Sequence, residues 1–378
     1  MLGDADFSWM RNYGTALYMR GPFGRLFLFT VDPRVIQRLL SAFEKGHLAV
    51  AKWRDIIAQN GGIPVVLNVH SWLARITLDA IGAGNYQMSM DYDLGSLQGN
   101  ENELAKVYEN LFAHAHYNWG DADIVFLDVV GYLPEWIIDL LRNSPDKRSK
   151  QMSLLAAGKE GGKDIMSLLV SAKHWSATIS TEDLVAQLTT LLLAGHETMA
   201  STMNWLFYEL SRHPDIQIKL RKEIIARIRR EVLRYHPIQA RTTRTAGQGD
   251  IILLSEAQKT TDGKTITEVA VEKEQRTIVS FDAYNRLTSI WGEDAHVWNP
   301  ERFLNDNGTK TKTGLGVLSN LLTFSSGERS CIGWRFVILE MQSTLCALIP
   351  NFKFSSPPGN VVIFRVASGL MLPMDVFL

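Results

Sequence analysis

The sequence predicts a mainly α-helical protein with a minor antiparallel β part, and three observations carry that prediction. From about residue 50 to 235, apolar residues recur at spacings of three and four, the period of a helix with one buried face. Short runs rich in Thr, Val and Ile, broken by turn dipeptides, are confined to about 13–31, 241–282 and 354–378. Apolar residues make up 46% of the 378 positions and aromatics 10%, enough to build a large core beneath both kinds of element.

Residues 13–31 read as two extended runs around Gly21-Pro22-Phe23-Gly24, a hairpin. Pro33 then suits the first turn of a short helix over 34–43, because its fixed φ is helical and its missing N–H is not needed there. Segments 63–83, 102–116 and 134–142 carry helical spacing, and the Lys- and Gly-rich stretch 143–163 is a polar loop. Between 241 and 282 the texture turns to β, with Asp262-Gly263 as a tight turn. A polar loop spans 305–316, and one further helix follows Cys331. No internal repeat is present.

Charge and cysteine content remove several classes. With 39 Lys+Arg against 40 Asp+Glu there is no basic excess for nucleic acid. Two cysteines, Cys331 and Cys346, make no disulfide framework and fit an intracellular protein. No run reaches 18 apolar residues and the first residues are acidic, so the chain as written reads as soluble, without an N-terminal membrane anchor. His114-Ala-His116 lacks a carboxylate partner and is read as ordinary surface or core histidine rather than a metal pair.

A long central helix is the clearest element. Ser180 with Asp183 is an N-cap pattern. An apolar stripe runs through Leu184, Leu188, Leu191, Leu192, Met199, Met203, Leu206 and Leu210, and Pro214 ends it. Its middle, Ala194-Gly195-His196-Glu197-Thr198, sets small residues, a carboxylate and a hydroxyl inside an oily helix, where Gly costs about 1 kcal/mol against Ala. Two readings are open. Either this is a close helix crossing, with Thr198 bonded back to its own backbone, or it is a ligand-facing notch with a proton-handling pair. A zinc-protease motif is excluded, since Ala200 stands where a second histidine is required.

Residues 324–333 read Phe-Ser-Ser-Gly-Glu-Arg-Ser-Cys-Ile-Gly, and a helical run follows. Cys331 thus lies where a helix begins, with Arg329 close in sequence, a setting that favours the thiolate. Such a thiolate serves as a nucleophile, a redox sensor or a metal ligand. Zinc is disfavoured, because no second Cys or His lies at finger spacing. Cys346 falls within the following helix and reads as a small buried hydrophobe.

The pattern Phe324-x-x-Gly327-x-Arg329-x-Cys331-x-Gly333 resembles the haem-binding signature of the cytochrome P-450 monooxygenases, a match expected by chance in roughly one chain in ten thousand. Three further segments follow the family's order. Ala194 to Thr198 resembles its oxygen-binding notch, Glu231-Val-Leu-Arg234 its E-x-x-R, and Pro300-Glu301-Arg302-Phe303 its P-E-R-F. Tyr284-Asn285-Arg286 and the W-N-P-E-R-F run from Trp298 are similar to a eukaryotic, fungal-type member. The resemblance covers about residue 13 to the end.

The resemblance implies a cytochrome P-450 fold: residues 1–378 as one domain, a large helical part around haem plus a small antiparallel β region. It implies a haem-thiolate monooxygenase, placing one atom of O2 into a lipophilic substrate, with haem (iron protoporphyrin IX) as cofactor. Cys331 would be the axial iron ligand, and Phe324 would pack beside the sulfur. Gly327 and Gly333 would allow close backbone approach, and Arg329 and Arg244 would meet the propionates. Ala194 and Gly195 would leave room for O2, and Glu197 and Thr198 would deliver protons. Glu231, Arg234 and Arg302 would form a structural charge triad. No G-x-G-x-x-G is present, so electrons from NADPH would come through a separate NADPH–cytochrome reductase. The enzyme is expected to be a monomer, without nucleic-acid partners, and associated with the endoplasmic reticulum if an anchor has been lost. Against the family pattern, the region between the helix near Leu40 and the segment near Trp72 and the lid region around 143–163 are short, and W-x-x-x-R occurs only as Trp298 to Arg302. The alternatives to an active monooxygenase are a haem-binding or inactive remnant that acts as a binding protein, and a reductase-independent peroxygenase or isomerase.

Overall fold

Ser180 opens the longest helix with a capping box. Its hydroxyl accepts the Asp183 N–H at 3.0 Å, and the Asp183 carboxylate accepts the Ser180 N–H at 3.3 Å. The helix runs Thr181–Arg212, 32 residues, and closes where the His213 N–H reaches the Glu209 carbonyl just before Pro214. Both ends are thus where the cap pattern and the proline put them.

The computed structural model describes residues 16–20, 26–30, 33–86, 180–220, 225–304, 313–359, 362–368 and 370–376. The expected helices at 102–116 and 134–142, the loop at 143–163 and the His114/His116 pair lie outside the described residues. Elements are β1 (Ala16–Arg20), β2 (Leu26–Thr30), α1 (Pro33–Gln59), α2 (Val69–Tyr86), α3 (Thr181–Arg212), α4 (Pro214–Leu220), α5 (Ile225–Tyr235), β3 (Arg241–Thr245), β4 (Asp250–Lys259), β5 (Thr265–Val271), β6 (Arg276–Ser280), α6 (Phe281–Tyr284), α7 (Thr288–Trp291), α8 (Trp334–Leu348), β7 (Val362–Ser368) and β8 (Leu370–Val376). Short 3-10 turns lie at Pro300–Leu304, Leu322–Phe324 and Gly327–Arg329. The architecture is mainly helical, with four two-stranded sheets among the described residues: β1–β2, β3–β6, β4–β5 and β7–β8. The first three are antiparallel.

Two compact units are present. The first comprises residues 1–229, 332–364 and 373–378, and the second 230–331 and 365–372. In the first, α1, α2, α3 and α8 bury Trp53, Leu73, Ile76, Trp205, Leu206 and Leu345. Each large apolar side chain buried this way contributes about 1.5–3 kcal/mol. Trp53 is the aromatic hub, with Trp72, Phe352 and Phe354 around it at 5.3–6.3 Å between ring centroids.

α1 differs from expectation. The sequence suggested a short helix over 34–43, whereas the helix continues unbroken to Gln59. Gly46 lies in its interior and does not break it, because a Cβ there would come within 2.8 Å of the Ala347 Cβ on α8. The glycine lets two helices approach closely, and the packing outweighs its weak helix propensity of about 1 kcal/mol. α2 begins at Val69, later than the 63 suggested by periodicity. Gly61 and Gly62 both have positive φ, which ends α1 and separates the two helices.

The second unit is built around a buried arginine rather than an oily centre alone. Arg234 is fully buried, with its guanidinium 5.6 Å from the Trp291 ring centroid and bonded to the Ala295 carbonyl. The β3–β6 and β4–β5 pairs belong to this unit. β4 has a register shift between Leu253 and Gln258, and Gly263 turns the chain at φ +80°.

Candidate functional site: a thiol loop and a helix notch

The thiol loop lies in the second unit and is tied to its charged core. On α5, Arg234 lies three positions after Glu231, which puts both on one helix face. Arg234 grips Glu231 through two bonds, Nε to Oε2 at 2.8 Å and Nη2 to Oε1 at 2.7 Å. The rest of its guanidinium donates to the carbonyls of Asn285 (2.8 Å), Ala295 (2.7 Å) and Val297 (3.0 Å). Glu231 also accepts the Asn299 N–H at 2.7 Å and has Arg302 Nε 3.6 Å away. Arg302 in turn donates to the Trp291 carbonyl and the Asp294 carboxylate, each at 2.7 Å. The structure therefore brings the three residues of the expected triad together, with Asp294 as a fourth member. Burial pushes the Glu231 carboxyl above the ordinary carboxylate range, and its bonds to Arg234, Asn299 and Arg302 pull the other way.

Asn285 carries this rigidity to the cysteine loop. Its backbone carbonyl is held by Arg234, its side-chain oxygen accepts the Leu322 N–H at 3.0 Å, and its amide donates to Thr323 Oγ1 at 2.8 Å. Thr323 Oγ1 donates to the Leu233 carbonyl. Phe324, buried at the end of that turn, accepts the Cys331 N–H at 2.8 Å. The turn between them needs left-handed backbone at Ser325 (φ +59°) and Gly327 (φ +70°). At Gly327 the positive φ by itself favours glycine, since L side chains rarely adopt that backbone conformation. Cys331 is exposed at the end of this loop. Gly333 is the N-cap of α8 with φ −87°, a value open to any residue.

Arg329 and Arg244 are both exposed. Arg244, on β3, folds along its own strand and donates to Thr242 Oγ1 at 2.8 Å and the Thr243 carbonyl at 2.9 Å. Asn285 was noted in the sequence only as part of a family-like run. Its role as the tie between triad and loop had no local signal, because its partners lie 37, 38 and 51 residues away.

The notch lies in the first unit, where α2 crosses α3. Thr198 Oγ1 donates back to the Ala194 carbonyl at 2.6 Å. A Cβ at Gly195 would fall 2.7 Å from Ile81 Cδ1, so this glycine admits Ile81 of α2. On its Cβ side the dent is thus occupied by the Ile81 side chain. Ala194 is exposed. Thr77 Oγ1 reaches the His196 carbonyl at 3.1 Å, a second tie between the two helices.

Glu197 is buried beside this crossing. Ser201 Oγ donates to its Oε1 at 3.4 Å, His70 Nε2 lies 3.5 Å from the same oxygen, and His196 Nε2 lies 4.0 Å from Oε2. Burial raises the Glu197 carboxyl to about 7, against the lowering effect of the Ser201 bond. Burial, then the neighbouring His70, holds His196 down at about 4. His70 was missed in the sequence, since a lone histidine at the start of a helix carries no periodic or motif signal.

The raised carboxyl has a consequence for stability. Between pH 4.5 and about 7 the folded chain holds a proton that the unfolded chain has lost, so stability falls as pH rises through that window. Glu197→Gln removes the effect. Its unfolding free energy from urea titration should match the parent near pH 4.5 and exceed it above pH 7, by at most about 3 kcal/mol. Equal unfolding free energies at both pH values would show that Glu197 is not held protonated.

The sequence pattern of the family described as Cytochrome P-450 matches residues 42–375. The chain belongs to the cytochrome P-450 family. It is 29% identical to cytochrome P-450 monooxygenase claP of Ampulloclitocybe clavipes, over 88% of this chain and 68% of that protein. It is 30% identical to monooxygenase claO of the same fungus, over 86% of this chain and 67% of that one. The ganoderic acid synthetase of Ganoderma lucidum is 28% identical, over 76% and 62%. A solved cytochrome P-450 shares the fold at a TM-score of 0.57 and 20% identity, over 90% of this chain and 72% of that chain. The protein is thus a fungal-type cytochrome P-450 monooxygenase, an oxidoreductase of the haem-thiolate class. Members of this family use haem, O2, a redox partner and generally lipophilic substrates. The thiol loop fits the group in its donor chemistry: the exposed Cys331 sulfur is the type of ligand a thiolate-bound haem iron requires. Among the described residues no helix is long and apolar enough to cross a membrane.

Proposed function

We propose that this cytochrome P-450 places one atom of O2 into a lipophilic organic substrate, using two electrons from NADPH delivered by a separate NADPH–cytochrome reductase. The observation that carries the reading is the Cys331 thiol, exposed on a loop tied through Asn285 to the buried triad, in a chain of this family. The family match runs through both compact units, which supports treating residues 1–378 as one catalytic domain. It acts as a monomer inside the cell.

Cys331 would hold the iron, Phe324 would pack near the sulfur, and Arg329 and Arg244 would pair with the propionates. Gly327 supplies the left-handed turn that presents the thiol, and Gly333 opens the next helix. Bound haem supplies the activation of O2, with the thiolate favouring O–O cleavage. Glu197 and Thr198 handle protons. A carboxyl near 7 is matched to the working pH, where a general acid is most effective. The Ala194 carbonyl fixes the Thr198 hydroxyl in one rotamer until it turns to donate elsewhere.

Thr198→Ala should uncouple the enzyme. Product formed per NADPH oxidised should fall about tenfold or more while peroxide release rises. Equal coupling in both proteins would remove Thr198 from proton delivery.

A second reading has an observation of its own. α1 runs as one uninterrupted helix from Pro33 to Gln59, through the region where the family pattern has additional chain, and W-x-x-x-R is found only at Trp298–Arg302. A haem-binding protein without turnover would fit that shortening. Haem retained on purification, with no product when reductase and NADPH are supplied for a panel of lipophilic substrates, would decide for it.

A further inference from the structure

The carboxyl of Glu197 is buried, so any proton it gives up must be replaced through a neighbour. Its surroundings on α2 and α3 narrow the choice. Ser201 is fully buried, and His196 is 2% exposed. The side chain of Glu197 itself is 3% exposed, whereas that of His70 is 31% exposed. His70 lies on the first turn of α2, with its Nε2 3.5 Å from Glu197 Oε1. The same oxygen receives the Ser201 hydroxyl. Of these four groups His70 alone touches both the carboxylate and solvent.

We propose that His70 is the positioning residue through which Glu197 exchanges its proton with water. In the step, the Nε2–H bond of the imidazolium breaks and a proton passes to Glu197 Oε1. The neutral ring is then reprotonated from solvent hydronium, so charge and protons balance. His196 cannot substitute: its ring is buried, and burial keeps it neutral at working pH. Ser201 can share a proton with Oε1 but has no solvent of its own. The titratable and polar groups facing the carboxylate are therefore His70 from α2, and His196 and Ser201 from α3. The inference deepens the monooxygenase reading and rests on it for its catalytic use, but the exchange itself is a property of the chain.

The test separates the two. Infrared spectroscopy of the full chain near pH 6 should show the C=O stretch of a protonated buried carboxyl, assigned by its loss in Glu197→Gln. On mixing into deuterated buffer the band should shift quickly in the parent, and about tenfold or more slower in His70→Phe. His70→Asn, smaller and polar, guards against a local packing defect and should also be slow. Far-UV circular dichroism confirms that both variants are folded. Unchanged exchange in both variants, or no protonated band in the parent, overturns the proposal. Slow exchange with a normal product-to-NADPH ratio in Glu197→Gln supports the relay and counts against the proton-delivery part of the proposed function. Slow exchange together with uncoupling in Glu197→Gln, and a coupling ratio that loses its pH dependence in His70→Phe, supports both.

Discussion

Cys331→Ser should abolish the red-shifted absorption of the reduced carbon-monoxide complex and all monooxygenase turnover, while Cys346→Ala leaves both intact. The contrast follows from placement. Cys331 is exposed at the end of a turn whose backbone is pinned by its own N–H to the Phe324 carbonyl. Cys346 is half-buried within α8, and burial raises its thiol above the ordinary range, the opposite of what an iron ligand requires. A serine hydroxyl preserves the loop but ionises far less readily and is a poor donor to iron, so the fold should survive as the spectrum goes. Spectra of the two purified variants settle the matter. A red-shifted band retained in Cys331→Ser would exclude this sulfur as the axial ligand.

The second large effect is expected at the triad. Arg234→Met keeps most of the side-chain volume but removes five hydrogen bonds, two to Glu231 and three to main-chain carbonyls. Glu231 would remain buried and charged with only the Asn299 N–H and the more distant Arg302 to compensate. Breaking one side of a buried pair costs about 3–5 kcal/mol, and three unsatisfied carbonyls add to that. Most of a domain's net stability would be lost, since that is about 5–15 kcal/mol. The variant should aggregate or elute without haem, because Asn285 no longer ties the Leu322–Phe324 turn in place. Glu231→Gln keeps the shape and should be milder, retaining haem with a lowered unfolding temperature. If Arg234→Met melts within a few degrees of the parent, the triad does not hold the loop. Arg302→Lys is a graded control: it keeps the charge but loses the fork whose Nη1 donates to the Trp291 carbonyl and the Asp294 carboxylate and whose Nη2 donates to the Asp294 carbonyl.

What was legible from residue order alone divides along a physical line. Local signals gave the central helix: a capping residue and its partner lie three positions apart, a proline ends the run, and the apolar stripe has the helical period. Such features act over four residues and require no knowledge of the fold. α1 was misjudged for the same reason in reverse. Gly46 lowers helix propensity locally, and only the Ala347 methyl on α8 makes it useful. Gly195 shows the ambiguity at a candidate site: in sequence it is open to both a helix crossing and a ligand notch, and Ile81 decides how its Cβ side is used.

The sequence by itself determined the helical class, the long capped helix, the thiol at the head of α8 and the family, because each of these is written in adjacent or periodic positions. Tertiary structure decided the rest. It assembled Glu231, Arg234 and Arg302 into one buried network with the exposed Asp294 at its edge, made Asn285 the strut of the cysteine loop, and brought His70 to Glu197. These pairings join positions far apart in the chain, and their energies come from desolvation and from the directions of hydrogen bonds. Neither exists until the chain has folded around them.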